Sequence, residues 1–218
     1  MTLFYLVRHG ETDWNRQHRV QGSSDIPLNE TGKRQAKHTA LLLARRSFDA
    51  IYTSPLSRAS ETASIIAEDL GLGHPIDHDA FVERNYGDAE GLTRRAIDAR
   101  WGATGTVPGQ ETRRSVQNRV IAALHRLADG SQGKHFIVVT HGGVIRSMLY
   151  AIEATPHRSA PITNGSIHSF ELVDGTLALI TFNDPIEHAS ALPGDDDITD
   201  QNPVEAADDT PAPKEKNR

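Results

Sequence analysis

Apolar residues fall into two kinds of run along this chain, and the two kinds alternate. Leu3-Phe4-Tyr5-Leu6-Val7 is continuous, as in a strand covered on both faces. Ala50-Ile51-Tyr52-Thr53 and Phe136-Ile137-Val138-Val139-Thr140 carry the same signature. Between them the spacing is helical. Thr31 is a candidate cap for a helix over 31–46, with Gln35-Ala36 and Leu41-Leu42-Leu43 inside it. A second helix covers 57–70, with Gly71 as its stop. Phe81-Val82 reads as strand-like and leads into an irregular stretch, 83–91. Thr93 opens a short helix to Trp101, and 102–109 is loop. Residues 111–129 place Val116, Val120, Ala123, Leu124 and Leu127 on one helical face. After His141-Gly142-Gly143 another helix runs through Ile145 to Ile152. Runs at 167–173 and 177–182 flank Asp174-Gly175, a hairpin signal. This order predicts an α/β fold: a three-layer α/β/α sandwich on a mostly parallel central sheet, formed by residues 1–183. There is no internal repeat.

Beyond residue 183 the pattern dissolves. Segment 184–218 has no Phe, Tyr or Trp, holds five of the eleven prolines, and spaces its apolar residues without a period. Such a segment cannot bury enough surface to offset its ordering entropy, so a disordered acidic tail is expected. Charge divides at the same place. The net charge of −6 combines ten acids and three bases in the tail with 19 acids and 20 bases before it. The body is therefore neutral to slightly basic. Of its 20 bases, 17 are Arg, the side chain suited to bidentate contact with phosphate or carboxylate.

A chain of 218 residues can build its core without staples. The absence of Cys excludes a disulfide scaffold, a Cys-ligated metal and a Cys nucleophile. No apolar run approaches the roughly 20 residues of a membrane span, and no basic segment of the signal-peptide kind precedes the first strand. The expectation is a soluble cytoplasmic protein with neither a nucleic-acid nor a membrane partner.

Ligands of open α/β sheets bind beyond the carboxyl ends of the strands. Two of the apolar runs end there in a histidine followed by glycine: Arg8-His9-Gly10-Glu11-Thr12 and Thr140-His141-Gly142-Gly143. A third ends at Thr53-Ser54-Pro55, with Arg58 just beyond. If these strands are neighbours, Arg8, His9, Arg58 and His141 converge. Gly10 and Gly142 would let the backbone approach a ligand closely, and amides at the following helix starts favour an anion. Phosphoryl transfer suits such a pocket, because two guanidiniums and a histidine stabilise its charge without a metal. A neutral imidazole is a competent nucleophile near pH 7. A carboxyl must then protonate the leaving oxygen and later activate water. Spacing leaves Glu83, Glu11 and Glu90 as candidates, with Glu83 best placed. His18, His38, His74, His78 and His125 lack metal-ligand spacing and read as surface or packing residues. No P-loop or dinucleotide fingerprint is present.

The neighbourhood of His9 carries more. Leu6-Val7-Arg8-His9-Gly10-Glu11-Thr12-Asp13-Trp14-Asn15 resembles the signature of the histidine phosphatase superfamily, the phosphoglycerate-mutase-like enzymes. The likeness continues through Gln21-Gly22, Asp25-Ile26-Pro27-Leu28, Glu30-Thr31-Gly32 and Tyr52-Thr53-Ser54-Pro55-Leu56-Ser57-Arg58-Ala59. It extends to Glu83-Arg84-Asn85-Tyr86-Gly87 with Glu90-Gly91, Pro108-Gly109-Gln110-Glu111 and Val138-Val139-Thr140-His141-Gly142-Gly143. The resemblance implies that His9 becomes phosphohistidine and that Arg8, Arg58 and His141 complete the phosphate pocket. It makes Glu83 the proton donor and acceptor. It places Asn15 against the phosphate, Gln21 and Gly22 in the adjoining substrate loop, and Arg84, Asn85 and Tyr86 on the substrate side. Gly142 and Gly143 would touch the ligand through their backbone.

Two activities use such a pocket. Glu83-Arg84-Asn85-Tyr86-Gly87 and Gly91-Leu92 resemble cofactor-dependent phosphoglycerate mutases. Val20-Gln21-Gly22, and Gly87-Asp88 before Glu90-Gly91, resemble the broad-specificity phosphatase branch. The segment between Gly91 and Pro108 is short, where mutases carry a longer insertion that helps exclude water. Arg94, Arg95 and Arg100 do not match the mutase clamp, and Arg113-Arg114 come too late in the chain. The expectation is a metal-independent phosphomonoesterase acting on small phosphorylated metabolites through a phosphohistidine, without a cofactor. The alternative is a mutase primed by 2,3-bisphosphoglycerate. The terminal hairpin offers an edge strand for pairing with a second copy, so a homodimer is also expected.

Overall fold

A computed structural model describes residues 1–154 and 160–185. In chain order it has β1 (Thr2–Arg8), α1 (Asp13–Arg16), α2 (Glu30–Leu43), β2 (Ala50–Thr53), α3 (Ser57–Leu70) and β3 (Ile76–Asp77). Then come α4 (Arg94–Trp101), α5 (Arg113–Ala128), β4 (His135–Thr140), α6 (Gly142–Ala151), β5 (Ile167–Val173) and β6 (Thr176–Thr181). Short 3-10 turns lie at Asp79–Phe81 and Gly87–Ala89.

The strands form one sheet in the order β3-β2-β4-β1-β5-β6. The pairs β3–β2, β2–β4 and β4–β1 are parallel, and β5 runs antiparallel to both β1 and β6. The expected mostly parallel α/β sandwich is therefore the fold. β1 explains its continuous apolar run by facing two cores. Phe4 and Leu6 pack with Val116, Val120 and Leu124 of α5 and Ile145 and Met148 of α6. Tyr5 and Val7 pack on the other face with Ala40 and Leu43 of α2 and Ala59, Ala63 and Ile66 of α3. Full burial of each such side chain contributes on the order of 1.5–3 kcal/mol, so β1 is locked at the centre. The chain leaves β1, skips a place to build β2, and later returns to insert β4 between them. That crossover sets the carboxyl ends of β2, β4 and β1 side by side. A smaller cluster of Val20, Tyr86, Ala89, Ile97 and Val107 brings α4 together with the 3-10 turn at Gly87–Ala89.

Helix ends follow their caps. α3 stops at Gly71, whose φ of 63° suits glycine. α4 begins after Thr93, whose side chain accepts from the Ala96 amide. α2 differs from expectation, running over Glu30–Leu43 rather than 31–46. Asn29, not Thr31, is its cap, with the side chain accepting from the Gly32 amide. α6 takes Gly142 and Gly143 into its first turn. Phe81 closes a 3-10 turn instead of a strand. Three features have weak sequence signals: the single-turn α1 held by a Thr12–Asn15 capping box, the two exposed residues of β3, and a remote cap on α3. That cap is Asp25, whose Oδ1 accepts from the Ser57 amide and hydroxyl at 2.8 and 2.7 Å.

Asp184, counted above with the acidic tail, is buried. Its amide donates to Ile167 O at 2.7 Å, and its carboxylate accepts from the Ser169 hydroxyl. The expectation of disorder otherwise falls on 186–218, outside the described residues. Among the described residues no helix is long and apolar enough to cross a membrane.

Candidate active site

Register alone brings the two strand-end histidines together. Arg8 pairs with Thr140 across β1 and β4, so His9 and His141 are the next residues on adjacent strands. Their rings lie 5.1 Å apart at 60°. Both are buried, and both have pKa values well below the ordinary 6.5. Desolvation is the main cause for each, followed by the charge of Arg58. Both rings are therefore neutral at pH 7. Nδ1 of His9 lies 2.7 Å from Gly10 O, a pure acceptor, so Nδ1 carries the proton. Nε2 is left with its lone pair. Neither ring nitrogen of His141 has a hydrogen-bond partner among the described residues.

Arg58 enters from the first turn of α3 and is fully buried. Its Nη1 and Nη2 donate to Ser24 O and Gly22 O, each at 2.8 Å. Burial pushes its pKa down to about 10, which leaves it charged at neutrality. The 22–24 loop is in turn held by Glu90. One carboxylate oxygen accepts from the Ser23 amide and hydroxyl and from the Tyr86 amide; the other accepts from the Ser24 amide and hydroxyl. Gly22 has a φ of 58°, and a Cβ there would fall 2.1 Å from Glu90 Oε1. Only glycine fits.

Arg8 donates to Ile162 O. On the far side, Asn15 Oδ1 accepts from the Thr12 amide and hydroxyl at 3.1 Å each. Gln21 Oε1 also lies 3.0 Å from that hydroxyl. Thr12 has one hydroxyl proton for these two oxygens; Asn15 Oδ1 also holds the Thr12 amide, so the Asn15 NH2 group faces the pocket that both side-chain amides line. Asn164 donates to His9 O at 2.9 Å and to Asn15 Oδ1 at 3.4 Å, linking nucleophile and amide.

Glu83 closes the site. Its two carboxylate oxygens accept from the Arg84 amide at 2.8 Å and the Gly143 amide at 3.2 Å. Arg119 braces the backbone below by donating to Ala80 O and Glu83 O. The resulting pocket is small and is lined by Arg8, His9, Asn15, Arg58 and Glu83 together with Arg19, Gln21 and Gly22. Donors line most of it, so a small anion rich in acceptor oxygens fits best.

The profile of the histidine phosphatase superfamily (branch 1) matches residues 4–185. The chain belongs to this superfamily. Among members, the uncharacterized phosphatase PhoE of Bacillus subtilis is 39% identical over 84% of this chain and 95% of its own length. A 2,3-bisphosphoglycerate-dependent phosphoglycerate mutase of Cytophaga hutchinsonii is 32% identical over 70% and 78%. A mycobacterial glucosyl-3-phosphoglycerate phosphatase solved with VO3 superposes with a TM-score of 0.72 at 30% identity, covering 83% of this chain and 98% of that one.

Several expected positions within this histidine phosphatase fold lie elsewhere. Of the three acids that spacing left open, Glu83 alone lines the pocket; Glu11 accepts from Asn29, and Glu90 serves the 22–24 loop. His141, Arg84, Asn85 and Tyr86 are not in the lining, though the His141 ring packs against that of His9. Arg84 donates to Glu111 O and sits over the Tyr86 ring, Asn85 is an exposed turn residue, and Tyr86 is fully buried in the α4 cluster. Gly143 spends its amide on Glu83, and Gly142 packs near the Arg8 guanidinium. Gly10 does not make room for a ligand. A Cβ there would meet Gly32 O at 2.3 Å, so it makes room for the start of α2. Arg19 and Asn164 were missed. Arg19 stands two residues before Gln21-Gly22, and a cation beside that block was the available signal. Asn164-Gly165 reads from sequence only as a turn.

Proposed function

We propose that this chain is a metal-independent phosphomonoesterase that works through a phosphohistidine at His9. The observation that carries the reading is the neutral His9 ring, its Nδ1 proton fixed on Gly10 O and its Nε2 left as the nucleophile of a donor-lined pocket. In this reading the phosphoryl oxygens of a small ester take hydrogen bonds from Arg8, Arg58, Asn15, Gln21 and His141. Nε2 attacks phosphorus, and the ester P–O bond breaks. Glu83 in its acid form protonates the leaving oxygen. It then takes a proton from water, whose oxygen attacks phosphorus, breaks the N–P bond and releases phosphate. Charge is balanced by the guanidiniums, so no step calls on a metal or cofactor.

The mutase alternative needs a cap that retains the phosphoenzyme and keeps water out. Here the arginines of the short cap are engaged within their own helix. Arg94 pairs with Asp98 at 2.7 Å, and Arg100 lies over Trp101. Neither lines the pocket, which favours hydrolysis. The test is hydrolysis of p-nitrophenyl phosphate in EDTA by the wild type and by His9→Ala. We expect turnover in the first and a loss of about 10³-fold or more in the second. Activity retained by His9→Ala would remove the phosphohistidine. Isomerisation of 3-phosphoglycerate stimulated by 2,3-bisphosphoglycerate, without matching phosphate release, would decide for the mutase.

A further inference from the structure

Every basic residue on the pocket wall has a counterpart in the phosphate chemistry except Arg19. A phosphoryl dianion is matched by Arg8 and Arg58, and Glu83 is neutral once it holds the proton it delivers. The charge balance therefore closes without a third guanidinium. Yet Arg19 lines the same pocket. It is exposed while Arg8, His9, Asn15 and Arg58 are buried, which puts it at the mouth, where the leaving part of an ester must sit. It is also held in place. Its Nη1 donates to Gly91 O at 2.6 Å, its Nε donates to Gln17 Oε1 at 3.1 Å, and its backbone bridges to Thr93. All of these fixed partners are neutral. Arg19 makes no ion pair among the described residues, and its Nη2 is unengaged.

Resting on the phosphatase reading, we propose that Arg19 selects phosphomonoesters bearing a second anionic group a few atoms from the phosphate. A guanidinium anchored by two neutral acceptors keeps its full charge for such a group. The shared chemistry is a carboxylate or a second phosphate, which a guanidinium binds in the same forked manner. An uncharged leaving group uses nothing that Arg19 offers, and a cationic one is repelled by it.

The test is a charge series on one short skeleton: ethyl phosphate, phosphoglycolate, ethylene glycol bisphosphate and phosphoethanolamine. Phosphate release is followed for wild type, Arg19→Gln and Arg19→Lys, with p-nitrophenyl phosphate as the common reference. The readout is the ratio of kcat/KM for each ester to that for ethyl phosphate. We expect Arg19→Gln to lower the phosphoglycolate ratio about tenfold or more, to raise the phosphoethanolamine ratio, and Arg19→Lys to fall between. The bisphosphate arm shows whether a carboxylate or a second phosphate gains more. Ratios in Arg19→Gln that match wild type overturn the inference, because Arg19 then acts on all substrates alike. A wild type that hydrolyses none of these esters, p-nitrophenyl phosphate included, overturns the phosphatase reading and this inference with it.

Discussion

Glu90 is absent from the pocket wall, yet the orientation of Arg58 runs through it. Burial by itself would raise the pKa of Glu90. The bonds from Ser24, Ser23 and Tyr86 outweigh that and hold the carboxyl below its ordinary value. The charged carboxylate fixes Ser23 and Ser24, and the carbonyls of Gly22 and Ser24 then aim the Arg58 guanidinium. Glu90→Ala strips acceptors from three amides, each costing about 1–3 kcal/mol if left buried without a partner. The loop will move to recover them, and Arg58 will move with it. A displacement near 1 Å at a catalytic charge lowers kcat/KM by about 10²-fold. Glu90→Gln keeps the shape and one oxygen acceptor and should recover part of the loss. Steady-state kinetics on p-nitrophenyl phosphate beside a thermal melt separates this from unfolding. A folded Glu90→Ala protein within twofold of wild type would mean that the loop has other supports.

Elements meet at the site through glycine. Gly10 follows His9 and Gly32 lies in the first turn of α2; a Cβ on Gly32 would fall 2.2 Å from Glu11 O, a backbone atom. Helix propensity favours Gly32→Ala by about 1 kcal/mol. Overpacking against backbone costs about 1–3 kcal/mol and must push α2 from the strand that presents His9. The second effect wins. We expect a melting temperature lowered by several degrees and weaker turnover. Gly73→Ala, where a Cβ meets nothing within 4 Å, is the control and should not destabilise. A Gly32→Ala protein as stable as that control would contradict the contact.

The same scale explains what could be read beforehand. α3 and α4 were legible because Gly71 and Thr93 punctuate them. α2 was displaced because Asn29 competes with Thr31 for the cap and wins by reaching the Gly32 amide. β3 escaped because both of its residues are exposed and carry no burial pattern. His9 and His141 were legible because each directly follows an apolar strand. Arg19, Asn164 and the true task of Glu90 were not. Their partners are backbone atoms of loops distant in sequence, which no residue pattern records.

For the molecule as a whole, gathering charge at one end of the sheet has a thermodynamic consequence. His9 and His141 are neutral in the folded state because burial and then Arg58 disfavour their protonation. In the unfolded chain both titrate near 6.5. Below that pH the unfolded state binds protons that the folded state refuses, so stability falls as pH falls. The slope approaches about 1.4 kcal/mol per pH unit for each histidine until its depressed folded pKa is reached. Glu90 and Glu111 are held below the ordinary carboxylate value, so the stability they add is lost only below about pH 4.5. A urea midpoint measured from pH 7.5 to 5.5 should therefore drop, and His141→Gln should make the drop shallower. Inorganic phosphate should counter it in the wild type, because an anion between Arg8 and Arg58 offsets the charge that opposes histidine protonation and binds only the folded state. A midpoint that stays flat down to pH 5.5 would mean that both histidines take up protons in the folded state as readily as in the unfolded one, and their depressed pKa values would have to be given up.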